Sequence, residues 1–162
     1  MLTLLRTNSG NIHFKNLVIL LNADLQIRNG EEQAFYDKFN KSDTIKNVVI
    51  CFFKNEAISC GGFKEYDNET VEIKRMFVQE NCRGKAVATI VLKELESWAA
   101  ELNYTNTVLE TGKKQPEAIA LYLKNGYAVT KNYGQYENVD NSICMMKKIK
   151  SLIDLHSIKV DV

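Results

Sequence analysis

The stretch Val78-Gln79-Glu80-Asn81-Cys82-Arg83-Gly84-Lys85-Ala86-Val87-Ala88 joins two different hydrophobic periods. Ahead of it, Val71-Glu72-Ile73-Lys74-Arg75-Met76-Phe77-Val78 reads as a strand; behind it, Val87, Val91, Leu95, Trp98 and Leu102 recur at helical spacing. A strand running through small residues into a long amphipathic helix leaves a helix N-terminus with unpaired backbone N–H groups. Those groups and the positive end of the helix dipole attract an anion, and small side chains at 84, 86 and 88 let a phosphate approach the backbone. Arg83 and Lys85 add positive charge. Neither the Walker pattern nor the three-glycine dinucleotide fingerprint is present, so the same residues also fit an ordinary strand-to-helix connection with two solvated basic side chains.

A second unit follows at the spacing of strand-helix-strand folds. Thr107-Val108-Leu109-Glu110-Thr111-Gly112 reads as a buried strand, and Lys113-Lys114-Gln115 as a turn. A helix follows, with Pro116 in its first turn and Gly126 as its C-terminal stop. Strand, helix, strand, helix in this order favours a right-handed parallel crossover, with the phosphate-binding turn at the carboxyl end of its strand.

Together the two segments resemble the acetyl-coenzyme A-binding half of the GNAT superfamily of N-acetyltransferases. Asn81-Cys82-Arg83-Gly84-Lys85-Ala86 is similar to the family's Gln/Arg-x-x-Gly-x-Gly/Ala pyrophosphate loop, and Leu121-Tyr122-Leu123-Lys124-Asn125-Gly126-Tyr127 to its Leu-Tyr-x-x-x-Gly-Phe/Tyr signature. Asn81 stands where relatives carry Gln or Arg, and the turn is poorer in glycine than usual. The resemblance covers residues 69 to 130 closely and the remainder only in the order of elements.

The resemblance implies one α+β domain over residues 1–162, with an acceptor-side half at 1–68, an acetyl-CoA-binding core at 69–130, and C-terminal strands and tail at 131–162. Its central sheet would be mixed and mostly antiparallel, with about six or seven strands, a parallel splayed pair in the middle and about four flanking helices. The implied activity is direct transfer of an acetyl group from acetyl-CoA to a primary amine within a ternary complex. The alternative on the same fold is a non-catalytic acyl-CoA-binding or regulatory module; a structural protein whose loop binds nothing is a third.

Residue by residue, the resemblance gives the diphosphate to Arg83, Gly84, Lys85, Ala86, Val87 and Ala88. The pantetheine arm pairs with Met76, Phe77 and Val78 as an added strand, inserting where the parallel strands splay. Gln115 matches a position where relatives hydrogen-bond the arm, or is only the helix N-cap. Tyr122 is the implied proton donor to the leaving thiolate, since a phenol is protonated at neutral pH; the competing reading is a core aromatic with its hydroxyl satisfied by a backbone group. Glu72 occupies the strand position of a catalytic glutamate. Strict alternation puts Glu72, Lys74 and Met76 on one face and Val71, Ile73, Arg75 and Phe77 on the other, so Glu72 and Lys74 also fit solvated neighbours. Arg75 on the apolar side hints at a bulge. Asp24, Arg28 and Tyr36, with Tyr133, Tyr136 and Glu137, fall where relatives line the acceptor pocket, although charges there also fit solvated side chains. Glu110 and Thr111 end a strand beside the expected cleft, and either shape the amine site or merely cap a turn.

Composition bounds the rest. With 45% hydrophobic residues and a formal net charge of +1, the chain reads as an ordinary globular domain without the basic excess of a nucleic-acid binder. Lys147-Lys148 with Lys150 reads as the solvated edge of a terminal strand. Four scattered cysteines and two histidines make zinc an unexpected ligand, so no metal is expected. Neither His13 nor His156 falls near a motif cysteine, which disfavours a covalent cysteine intermediate, and Cys82 is read as an ordinary loop residue. No signal peptide or membrane-length apolar run is evident, and a cytoplasmic protein is expected, with no membrane partner and a homodimer through the C-terminal strands conceivable.

Along the N-terminal half, Met1 to Thr7 reads as a strand, and Asn8-Ser9-Gly10-Asn11 as a turn able to cap a helix. Phe14, Leu17, Val18, Leu21 and Leu25 form an apolar helical stripe, ended by Asn29-Gly30; Glu31-Glu32 begin a shorter helix through Phe39. Val48–Phe53 and Ala57–Phe63 read as a hairpin. Strands are expected at Tyr127–Asn132 and Ser142–Ile149, joined by a polar, aromatic loop that is long for a hairpin. Residues 151–162 fit a last strand, a partner contact or disorder alike.

Overall fold

The computed structural model describes residues 1–38 and 45–150. Among these residues, seven strands form one sheet in the order β1-β2-β3-β4-β5-β7-β6: β1 is Leu2–Thr7, β2 Asn47–Phe53, β3 Glu56–Asp67, β4 Thr70–Val78, β5 Asn106–Gly112, β6 Ala128–Thr130 and β7 Ser142–Lys148. The parallel pair is β4 with β5, and its ladder is short: Thr70, Val71 and Glu72 pair with Asn106, Thr107 and Val108. The α-helices are α1 (Ile12–Asn29), the short α2 (Gln33–Asp37), α3 (Val87–Glu101) and α4 (Pro116–Lys124). This is the mixed α+β architecture expected from the sequence.

The chain forms two compact units, Met1–Lys64 with Lys74–Lys93, and Glu65–Ile73 with the chain from Glu94 onward. In the first, Asn11 caps α1 by accepting from the amides of His13 at 2.8 Å and Phe14 at 3.4 Å. One face of α1 buries Phe14, Leu17, Val18 and Leu21 against Val48, Ile50, Cys60 and Phe77, with Leu25 partly covered. Each such apolar side chain contributes about 1.5–3 kcal/mol by leaving water. The β2–β3 hairpin turns at Lys54 and Asn55, both with positive φ (49° and 67°), as a primed two-residue turn requires.

In the second unit β5 pairs antiparallel with β7 along its whole length, from Asn106–Lys148 to Gly112–Ser142, and β6 pairs with β7 on the other side. β6 flanks β7 only at residues 144–146; beyond it Lys148 and Lys150 are exposed, as the sequence reading has them, but Lys147 is half-buried and departs from a solvated edge. Lys147 Nζ instead sits 2.8 Å from Glu96 Oε1 of α3. The Tyr127 hydroxyl donates to Glu96 Oε2 at 2.8 Å and accepts from Thr107 Oγ1 at 2.9 Å, so a polar network ties α3, β5, β7 and the residue ahead of β6. α4 ends at Gly126, whose φ of 90° suits glycine; the amide of Tyr127 closes on the carbonyl of Tyr122 at 3.0 Å.

Several boundaries differ from the sequence reading. Glu31 and Glu32 lie in a 3₁₀ turn, Gly30–Glu32, ahead of α2, and Phe39 lies outside the described residues, as do residues 151–162. β6 spans only Ala128–Thr130, because the chain then enters a loop folded on itself. Leu102, counted into the stripe of α3, lies past its end and is exposed.

Candidate active site

In the first unit, β4 leads into the small-residue turn. Arg75 has φ 60°, a left-handed value that breaks the alternation of β4. Its guanidinium donates to Asn22 Oδ1 of α1 at 3.0 Å, and its carbonyl accepts from the Cys60 thiol at 3.5 Å. Lys74, just ahead of the break, is buried, so it is no solvated neighbour of Glu72. Past the break, Phe77 is buried while Met76 and Val78 are half-buried. The carbonyl of Phe77 accepts from the Ser59 hydroxyl at 2.7 Å.

Gln79 pins the start of the turn to β3, its amide on Ile58 O at 2.9 Å and its side chain on Ala57 O at 2.8 Å. A 3₁₀ turn, Glu80–Cys82, follows. Gly84 (φ 79°) and Ala86 (φ 61°) then take left-handed conformations before α3 begins at Val87. Residues 83 to 86 are exposed and Val87 is buried, which anchors the helix end. The space over Gly84 is open, with no atom within 4 Å of where a Cβ would stand. Among the described residues, no turn or loop hydrogen bond uses the amides of Gly84 to Ala88 as donors. Exposed amides at the positive end of a helix, under open space, fit the diphosphate of a coenzyme.

Arg83 is turned away from that end. Its Nε donates to Val78 O at 2.9 Å, its guanidinium lies 5.6 Å from the centre of the Phe77 ring, and its Nη2 is 3.8 Å from Asp24 Oδ2. Asp24 also pairs with Arg28 at 3.2 Å. The two α1 residues assigned to the acceptor are thus ion-paired to each other, and Asp24 is paired to the turn as well. Cys82 is partly exposed and its thiol approaches Asn81 Oδ1 at 3.4 Å.

The second unit gathers the titratable side chains. Tyr122 of α4 is 6% exposed, its ring packed edge-on to Tyr127 at 5.7 Å. Its hydroxyl makes no hydrogen bond among the described residues, in contrast to a core tyrosine satisfied by backbone. Burial, and then the charge of Glu110, push this phenol well above its usual value. Gln115 precedes α4 without a side-chain capping bond; its carbonyl accepts from the amides of Ala118 and Ile119.

Glu72 Oε2 accepts a 2.6 Å hydrogen bond from the Tyr133 hydroxyl. Tyr133 packs edge-on against Tyr66 and Tyr136, at 5.2 and 5.9 Å between ring centres. Burial first, then the charge and hydrogen bond of Glu72, raise the Tyr133 phenol. Tyr136 rises through burial, then Glu110 and Glu72; Cys144 is pushed up to about 11, mainly by burial. Glu72 and Glu110 thus act electrostatically on the same side chains. Glu137 of the same loop is exposed, and Tyr36 is buried in the first unit. The sequence placed Tyr133 near the acceptor but gave no sign of its bond to Glu72, because the two are 61 positions apart.

Residues 16–127 match the model of the Acetyltransferase (GNAT) family, and the chain belongs to that family. It is 37% identical over 78 residues to the IAA acetyltransferase of Azospirillum brasilense, a match covering 48% of this chain and 51% of that protein. Matches to curated relatives span between 45% and 64% of those relatives' lengths. Among solved structures, the PaiA N-acetyltransferase of Thermoplasma acidophilum in complex with coenzyme A superposes with a TM-score of 0.71 at 14% identity, covering 91% of this chain and 99% of that one. A GNAT family acetyltransferase from Elizabethkingia anophelis with acetyl-CoA bound gives a TM-score of 0.67 at 19% identity, covering 91% and 98%. Both share the fold. No helix among the described residues is long and apolar enough to cross a membrane.

Proposed function

We propose that the chain is an N-acetyltransferase that uses acetyl-CoA and a primary amine, with direct transfer in a ternary complex. The observation that carries this reading is the turn ahead of α3, where Gly84, beneath open space, and the exposed Ala86 take left-handed conformations. The amides of residues 83 to 88 hold the diphosphate, with Lys85 adding charge, and Arg83 reaches it only by leaving Val78 O and Asp24. Met76 to Val78 line up the pantetheine arm, and Gln115 offers it a side-chain amide. Acetyl-CoA, when bound, supplies a thioester whose carbonyl an amine attacks.

Tyr122 is the donor to the departing sulfur. Its raised phenol stays protonated across the physiological range, so it serves as a hydrogen-bond donor that stabilises developing negative charge. Glu72 takes the proton of the amine, directly or through water. Glu110, and Asp24 with Arg28, shape the acceptor side; Asp24 exchanges an existing ion pair for a cationic amine. The acceptor is a small molecule or peptide amine.

Thermal unfolding with acetyl-CoA, followed by coenzyme A release over a panel of amines, tests the reading. At about a hundredfold excess over Kd a ligand adds about 2.7 kcal/mol. Absence of stabilisation refutes the cofactor site; stabilisation without turnover on any amine favours the non-catalytic binding module.

A further inference from the structure

We propose that Tyr133 is a positioning residue for Glu72, held in place by the loop between β6 and β7 so that its hydroxyl fixes the carboxylate that receives the amine proton. The proposal rests on the reading of Glu72 as proton acceptor. A glutamate side chain has three rotatable bonds, and ordering it costs up to about 1.5–2 kcal/mol of rotamer freedom. A hydrogen bond of 2.6 Å from a phenol to one carboxylate oxygen is in the range of charge-assisted O–H···O⁻ bonds, which combine strength with direction. It selects one orientation of Glu72 before any substrate arrives, and such preorganisation lowers the cost of reaching the transition state.

The loop is built for this placement. Asn132 Nδ2 donates to three carbonyls of the loop and its far end, Tyr136 at 3.1 Å, Val139 at 3.2 Å and Ser142 at 3.1 Å. The amide of Tyr136 closes a turn on Tyr133 O at 2.9 Å. The Tyr133 ring is held edge-on against Tyr66 of β3 and Tyr136. A long connection thus becomes a fixed support carrying a hydroxyl to a carboxylate 61 positions earlier in the chain. Because Glu72 and burial both disfavour the phenolate, the hydroxyl stays a donor at physiological pH.

The test compares wild type, Tyr133→Phe, Glu72→Gln and the double variant in steady-state kinetics, with thermal unfolding as a check on folding. Tyr133→Phe keeps the ring and removes only the hydroxyl. The expected result is a fall in kcat/KM for the amine of roughly 10- to 100-fold, the effect of losing a hydrogen bond to a charged partner, while the KM for acetyl-CoA stays within about twofold. In the Glu72→Gln background the same change has little further effect, since the two residues act as a unit. An impaired Glu72→Gln beside a Tyr133→Phe at wild-type rate overturns the proposal and leaves Glu72 as acceptor. Independent, multiplying effects in the double variant also overturn it. Wild-type activity in Glu72→Gln refutes the acceptor reading itself, and the proposal with it.

Discussion

Tyr122 and Tyr127 meet edge to face, 5.7 Å apart, and differ in one respect: the Tyr127 hydroxyl is bonded to Glu96 and Thr107, whereas that of Tyr122 has no partner among the described residues. Two buried phenols, five positions apart, thus divide into a structural one and an unspent donor. Removing each hydroxyl should separate the roles. Tyr122→Phe is expected to lower kcat by about 10²-fold or more, the scale of general acid catalysis, with little change in stability or in acetyl-CoA affinity measured by calorimetry. Equal kcat in the variant removes Tyr122 from the mechanism.

Tyr127→Phe should do the opposite. It leaves Glu96, which also holds Lys147, with one partner fewer in a buried setting, at a cost of about 1–3 kcal/mol in denaturant unfolding. A stability equal to wild type would show that Lys147 alone satisfies the carboxylate.

Gly84→Val places a β-branched side chain at φ 79° and over the exposed amides. Strain of about 1–2 kcal/mol is expected from the left-handed conformation, together with loss of acetyl-CoA binding in a thermal-shift titration. Retained affinity would refute the assignment of this turn to the diphosphate. Phe14→Ala, deep in the core of the first unit, is expected to cost about 3–5 kcal/mol through lost packing alone, with no change at the amides of the turn, and serves as the comparison for destabilisation in the same unfolding assay.

Alkaline pH should destabilise the protein in a defined direction. Tyr122, Tyr127, Tyr133 and Tyr136 all have folded values raised above 10, and Cys60 is pushed from 9.0 up to about 12. A group raised in the folded state contributes stability that is complete below its unfolded value and is lost as pH rises toward its folded value. Stability should therefore hold near neutrality, decline from about pH 9 as Cys60 comes into play, and fall more steeply above about pH 10. Urea midpoints measured across this range check it; a flat profile would mean that these groups are exposed to solvent.

The elements were legible where one period ran unbroken. The stripe of α1, the hairpin of β2 and β3, and the proline start and glycine stop of α4 all depend on neighbours a few positions away. Reading stopped at one side chain of the last strand: Lys148 and Lys150 are exposed, as a solvated edge requires, whereas Lys147 is half-buried and paired with Glu96, a partner 51 positions away. Arg75 on an apolar face was a local sign of irregularity, and it corresponds to a residue with positive φ. Lys74 gave no such sign, and only the folded strand shows it buried.

The small-residue turn between β4 and α3, and the helix that follows it, were determined by the sequence alone, since small residues and helix termini act within a single turn of chain. The bond of Tyr133 to Glu72, the ion pairs that occupy Asp24, and the burial of Tyr122 beside Tyr127 were decided only by the tertiary structure. Each depends on side chains that approach through folding rather than through sequence, and no local period encodes which distant partner a polar group will meet.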